Sequence, residues 1–150
     1  VIPPIDFLGL EPLIIERLKA TVPAARAVLA AEDLADVQER SQVAPALHVI
    51  YGGYRVLEAT DTGRAATTEQ TWIVVAVVKG AGQRGDAPAA LRASAAALVS
   101  PVLSALMGWR PADRMRPLKL ANGPRPVFSG GFAYFPLTFT ATVPVQVEKQ

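Results

Sequence analysis

The sequence predicts an α+β fold, with a mostly antiparallel β-sheet, one main helix packed on it and a shorter N-terminal helix. Three observations lead there. Residues 70–79, QTWIVVAVVK, are the most apolar and β-branched run of the chain, too short for a membrane span and too rich in Val and Ile for a preferred helix. Trp72, Val74, Ala76 and Val78 point one way and Ile73, Val75 and Val77 the other, so this strand is expected inside a sheet with cover on both faces. Residues 88–107 place Leu91, Ala95, Leu98, Val102 and Leu106 on one helical face. Near the C-terminus, Phe135, Leu137, Phe139, Ala141 and Val143 alternate with Pro136, Thr138, Thr140 and Thr142, a strand with one face on the core and one polar. Neighbouring strands with one intervening helix indicate α+β rather than α/β.

A chain of 150 residues is long enough for one domain with a substantial core. The expected division is an extended segment over residues 1–10 and a single α+β domain over residues 11–150. Hydrophobic residues make up 51% and charged residues 19%, which excludes a disordered chain. A net charge of +2 is a weak pointer to nucleic acid. The absence of cysteine excludes disulfides and thiolate metal sites, and the single histidine, His48, argues against a His-based metal site or triad within one subunit. Residues 1–10 lack a basic start and are interrupted by Pro3, Pro4 and Asp6, so no secretory signal is expected. No run approaches the roughly 20 apolar residues of a membrane span. The expectation is a soluble protein, kept in the cytoplasm or assembled there into something larger.

In chain order, the prolines extend residues 1–9, and Ile5, Phe7 and Leu8 must find a dry surface. The ordinary reading packs them on their own domain; the sharper one makes Ile5 and Phe7 an arm on a neighbouring subunit. Residues 11–20 form a helix, with Pro12 in its first turn, Glu11 and Glu16 ahead of Arg17 and Lys19, and Leu10, Ile14 and Leu18 as the buried stripe. Residues 24–31 suit either a helix, by alanine content, or a short edge strand, by Val28 and Leu29; the strand is the expectation. Residues 33–40 form a short helix with Leu34 and Val37 facing in.

Residues 46–59 hold a strand broken at Gly52-Gly53, as a tight turn or a bulge. His48 on this strand is expected to be a satisfied or surface histidine. Residues 60–68 are a polar loop, through which this strand pairs with residues 70–79 as a long antiparallel hairpin. Residues 80–86 contain glycines but no phosphate-loop pattern. Pro88 opens the main helix with Asp86 as a plausible cap, Pro101 should kink it or split it after Ser100, and Gly108 ends it. Trp109 is expected to lock the helix end onto the core. Residues 110–126 carry Arg110, Arg114, Arg116, Lys119 and Arg125 against the single acid Asp113. The ordinary reading is a solvated loop and edge strand; the functional one is a basic surface for DNA or an acidic partner. Ser129-Gly130-Gly131 is a turn or a bulge before the alternating strand, and Pro136 marks that strand's start as an edge or irregular.

Taken together, the N-terminal helix, ALHVIYGGYRV, EQTWIVVAVVK, an Ala/Leu-rich helix entering Gly108-Trp109-x-Pro111, then PLKL and FAYFPLTFTATV resemble the tail terminator, or tail completion, proteins of long-tailed phages, particularly Mu-like ones. The resemblance covers roughly residues 11–143, and Gly-Trp-x-Pro after a helix is its most specific motif. It implies a virion structural protein without enzymatic activity or cofactor. It implies a hexameric ring, assembled in the host cytoplasm, that caps the tail tube at the head-proximal end of the tail. The ring would end tube polymerisation and meet the head–tail connector protein, with DNA passing through the lumen without sequence-specific binding and no membrane involved. The helix–strand–short helix opening also suits it. Thr138, Thr140 and Thr142, with Ile5 and Phe7, are then the candidate subunit or partner interface. The basic residues would face the lumen or an acidic partner.

Two other classes compete. A small-molecule-binding or regulatory α+β module would use Gly52, Gly53 and the glycines of residues 80–85, but convergent polar groups are missing. An enzyme would need more than Asp61, Glu69 and Asp86, isolated carboxylates expected on loops.

Overall fold

The structure, a computed structural model, describes residues 6–40, 43–80, 87–113 and 115–147. A mixed six-stranded sheet carries three helices. The chain runs α1 (Leu10–Thr21), β1 (Ala27–Ala31), α2 (Leu34–Arg40), β2 (Ala46–Ala59), β3 (Ala65–Lys79), α3 (Ala87–Leu106), β4 (Lys119–Ala121), β5 (Val127–Ser129) and β6 (Phe132–Gln146). The spatial order is β1-β2-β3-β6-β4, with β5 also on β6. β1 pairs β2 in parallel and the other pairings are antiparallel. The expected fold class stands, as does the strand reading of the alanine-rich stretch.

β3 is the centre, flanked along its length by β2 and β6. Its even-numbered side chains Trp72, Val74, Ala76 and Val78 join the larger core with Leu47, Val49, Phe139, Ala141 and Val143. α1 supplies Leu10, Ile14 and Leu18 to that core, and α3 supplies Ala95, Leu98, Val102, Ala105 and Leu106. Its odd-numbered Val75 and Val77 face a second, smaller cluster with Ile50, Tyr134 and Val37 of α2. The cover expected on both faces is divided between the helices: α1 shares a face with α3, and α2 covers part of the other. Although only seven residues long, α2 is held by its start: the Asp33 carboxylate accepts the Asp36 N–H at 2.8 Å, and the Asp36 carboxylate accepts the Glu32 N–H at 2.9 Å.

Gly52-Gly53 is a bulge, since the register against β3 shifts between Tyr51 and Tyr54 and the strand continues; Gly53 takes φ +94°, open to glycine at little cost. The polar loop is shorter than expected. Residues 65–69 are strand, because Thr67, Thr68 and Glu69 pair with β2 on one side and with Thr142, Val143 and Pro144 of β6 on the other. β6 likewise runs beyond Pro144, which sits beside β3 with no strand on its outer side among the described residues, where a missing N–H is harmless. The side of residues 135–137 away from β3 lies between β5 and β4 without a pairing, the irregularity Pro136 suggested.

α3 is one helix through Pro101, not two. The carbonyl that Pro101 leaves unbonded belongs to Ala97, on the exposed side, where water can take it. Alanine raises the hydropathy of residues Pro88–Leu106 enough to match a bilayer-spanning helix in length and composition, beyond what the sequence reading allowed. Here that helix lies along the sheet with its Leu and Val side buried. Gly108 ends the helix at φ +76°, as expected. Asp86, the plausible cap, lies outside the described residues. His48 is buried on β2 between β1 and β3.

Candidate assembly surfaces

The helix end and the following loop are pinned to each other. The Gly108 N–H donates to the Leu118 carbonyl at 2.9 Å, and the Leu118 N–H returns to the Trp109 carbonyl at 2.9 Å. Arg17 of α1 donates from Nε to the Ala105 carbonyl at 3.1 Å and lies 5.4 Å from the centre of the Trp109 ring. One guanidinium thus satisfies a carbonyl in the last turn of α3, where positive charge is favoured, and holds the indole by a cation–π contact. Trp109 performs the locking role expected of it, with α1 as the second half of the lock.

Arg110 and Arg116 project from this closed loop, which the buried Met115 fastens to the core. Lys119 stands on β4 opposite Thr140. Arg125 is exposed on the segment between β4 and β5. Arg114 lies outside the described residues. The four described cations are exposed and spread over two loops and a strand, and no ion pair joins them to an acid among the described residues.

The alternating strand contributes to a larger polar face. Register places Thr71 beside Thr140, Glu69 beside Thr142, Thr67 beside Pro144 and Ile73 beside Thr138. Arg55 of β2 donates from Nε to Glu69 Oε1 at 3.0 Å across the strand pair, so Glu69 is a strand residue in an ion pair and not an isolated loop carboxylate. Thr67, Glu69, Thr71, Thr140, Thr142, Arg55 and Lys119 therefore share the face opposite the α1–α3 layer. The sequence singled out Thr140 and Thr142 as candidate interface, Lys119 only as part of a basic segment and Glu69 only as a loop carboxylate. Thr67 and Thr71 were hidden because residues 67–71 are polar at both parities: Thr68 and Gln70 point into the core and are buried.

Thr138 departs from its neighbours. It is 7% exposed, and its hydroxyl has no hydrogen-bond partner among the described residues. The segment after β4 lies over it, so close that a Cβ on Gly123 would come 3.0 Å from Thr138 Oγ1. A buried hydroxyl without a partner costs stability. Thr138→Val keeps the shape and is expected to raise stability by up to about 1 kcal/mol in urea unfolding. A loss of that size would mean that the hydroxyl is bonded.

Phe7 packs on its own chain. Its ring meets Tyr54 edge to face at 5.3 Å, and its carbonyl accepts the Gln70 Nε2–H at 2.5 Å. Ile5 lies outside the described residues. Tyr51 titrates above the ordinary phenol range because burial disfavours its charged form, with Tyr54 adding to the shift, so it stays neutral at physiological pH. Among the described residues no group of three His, Asp or Glu side chains could hold a metal ion. The surfaces offered are ones for docking: a threonine-bearing sheet face, an exposed outer hairpin and scattered cations.

A comparison with curated proteins returns no match. The model of the phage tail terminator protein family matches residues 4–149, nearly the whole chain. The Gly108-Trp109 lock, the extended hairpin and the alternating last strand therefore belong to a structural protein of the phage tail, and the chain is a member of the phage tail terminator family.

Proposed function

We propose that this chain forms a hexameric ring at the head-proximal end of the tail of a long-tailed, Mu-like phage. The ring caps the tail tube, ends its polymerisation and presents the surface that joins the head–tail connector protein; it assembles in the host cytoplasm. The supporting observation is the sheet face that bears Thr67, Thr71, Thr140 and Thr142, polar and opposite the α1–α3 layer. We place this face toward the lumen. Threonine hydroxyls are uncharged and wet, which suits a wall past which DNA slides without being read, and Lys119 beside Thr140 adds positive charge against phosphate repulsion. The Glu69 charge is offset by Arg55. Arg110, Arg116 and Arg125 would meet acidic surface on the tube or connector proteins. Membership of a structural family speaks against the small-molecule module and against an enzyme.

The test is electron microscopy of particles from phage lacking this coding sequence. The expected result is tails of abnormal length, or normal tails that never join full heads. Normal infectious particles would end this reading.

A further inference from the structure

β1 pairs β2 only as far as Ile50, so from Tyr51 to the hairpin tip the outer edge of β2 meets no strand among the described residues. That outer half carries apolar side chains in water: Tyr54 is 59% exposed, Val56 is 54% exposed, and Leu57 is also exposed. Tyr54 and Val56 pair with Gln70 and Thr68, which places them on the α1–α3 side of the sheet. A cluster of this kind at a strand edge marks a contact surface.

The opposite edge of the same sheet carries its counterpart. β4 pairs β6 only through residues 138–140, leaving the outer side of residues 141–146 without a strand among the described residues. Leu120, opposite Phe139, is 45% exposed, and Val147, just past β6, is 58% exposed; Val145, opposite Ala66, lies between them half-buried. Phe139 and Ala66 lie on the α1–α3 side, so Leu120 and Val145 do too, and the strand alternation carries Val147 with them. The heights agree as well. Through β3, Tyr54 stands level with Ala141 and Val56 level with Val143, between Leu120 below and Val145 and Val147 above.

We propose that copies of this chain join head to tail along these edges, the Tyr54–Val56–Leu57 cluster of one copy seating against Leu120, Val145 and Val147 of the next. This rests on the ring reading and specifies the ring's seam. Two different patches on opposite edges make a heterologous contact, which repeats around a closed ring, whereas a self-complementary patch would stop at a dimer. In this arrangement apolar side chains meet on the helix side of the sheet. Arg55, Glu69, Thr140 and Thr142 continue as a polar wall on the other side. The bulges at Gly52-Gly53 and Leu57 distort the β2 edge, so side-chain packing and not an unbroken backbone ladder carries the contact.

The chain has no cysteine, which makes cross-linking unambiguous. Phage carrying Val56→Cys with Val145→Cys are grown, and their purified tails are oxidised and run without reducing agent. The expected result is a ladder of cross-linked copies from the double variant and single copies from either variant alone, since a bond needs one cysteine from each edge within about 7 Å between Cα atoms. Dimers from Val56→Cys alone would mean a two-fold contact and overturn the proposal. Single copies only, from infectious double-variant particles, would overturn it too; a β2 patch covered by the chain's own residues 1–5 gives that result. As a second variant, Val56→Asp is expected to keep the melting temperature of the isolated protein and cut phage titre by orders of magnitude; an unchanged titre would overturn the proposal. Such failures remove the seam alone, whereas normal particles without the protein would remove the ring reading itself.

Discussion

Trp72→Ala is expected to cost about 3–5 kcal/mol, the largest loss from any single truncation in this chain. Trp72 is buried at the middle of β3, between Tyr51 of β2, whose ring centre lies 5.0 Å away, and Phe139 of β6. Its cross-strand neighbours are held in paired strands and α1 and α3 pack over the same core, so the sheet cannot close over the void, and the cavity penalty adds to the lost transfer energy. A domain of this kind is stable by about 5–15 kcal/mol, so the loss takes a large fraction of the total. Urea unfolding with an unchanged m-value reads it directly, and the midpoint of thermal unfolding should fall by roughly 2–4 °C per kcal/mol. A loss under about 1 kcal/mol would mean that the sheet repacks and that β3 is not the rigid centre described here.

Gln70→Leu is expected to cost about 2–4 kcal/mol, for a different reason. The buried Gln70 amide bridges two elements: its oxygen accepts the Trp72 Nε1–H at 3.0 Å, and its Nε2 donates to the Phe7 carbonyl. Leucine fills the space yet leaves an indole N–H and a carbonyl without partners, and each such group costs about 1–3 kcal/mol when buried. The N-terminal segment is held by this bond and by the Phe7–Tyr54 ring contact, so the variant should also be cut faster by protease near Phe7. The double variant Gln70→Leu with Trp72→Phe removes one orphan along with its partner. It should lose less than the sum of the two single variants, by about 0.5–3 kcal/mol. Strict additivity would show that the indole and the amide do not share a bond.

The strand at residues 70–79, the helix stripe through Leu98 and Val102, and the alternation from Phe135 to Val143 were all readable from the chain. In each, side chains follow one period over enough residues to specify a buried face. Gly108 and the turn at Gly130-Gly131 were readable because a positive φ leaves few residue choices. The extension of β3 down to Ala65 was not. Residues 65–69 have no apolar alternation of their own and become strand only because β2 and β6 lie on either side to accept their backbone groups. The same holds for the polar face: Thr140 and Thr142 announced it, while Thr67, Glu69 and Thr71 join it only through strand register.

The sequence alone established the α+β class, the central strand, the main helix and its glycine stop, since these follow from local periodicity and backbone chemistry. It also carried the family, through a pattern spread over nearly the whole chain. Tertiary structure alone decided which helices share a face, that Gly52-Gly53 is a bulge, and that Arg17 closes the lock on Trp109. It also decided that Tyr54 and Val56 emerge beside one free edge while Leu120 and Val147 emerge beside the other. Exposure of a side chain is a property of what is packed around it, and β1 ending at Ala31 and β4 spanning three residues are what leave those edges open among the described residues.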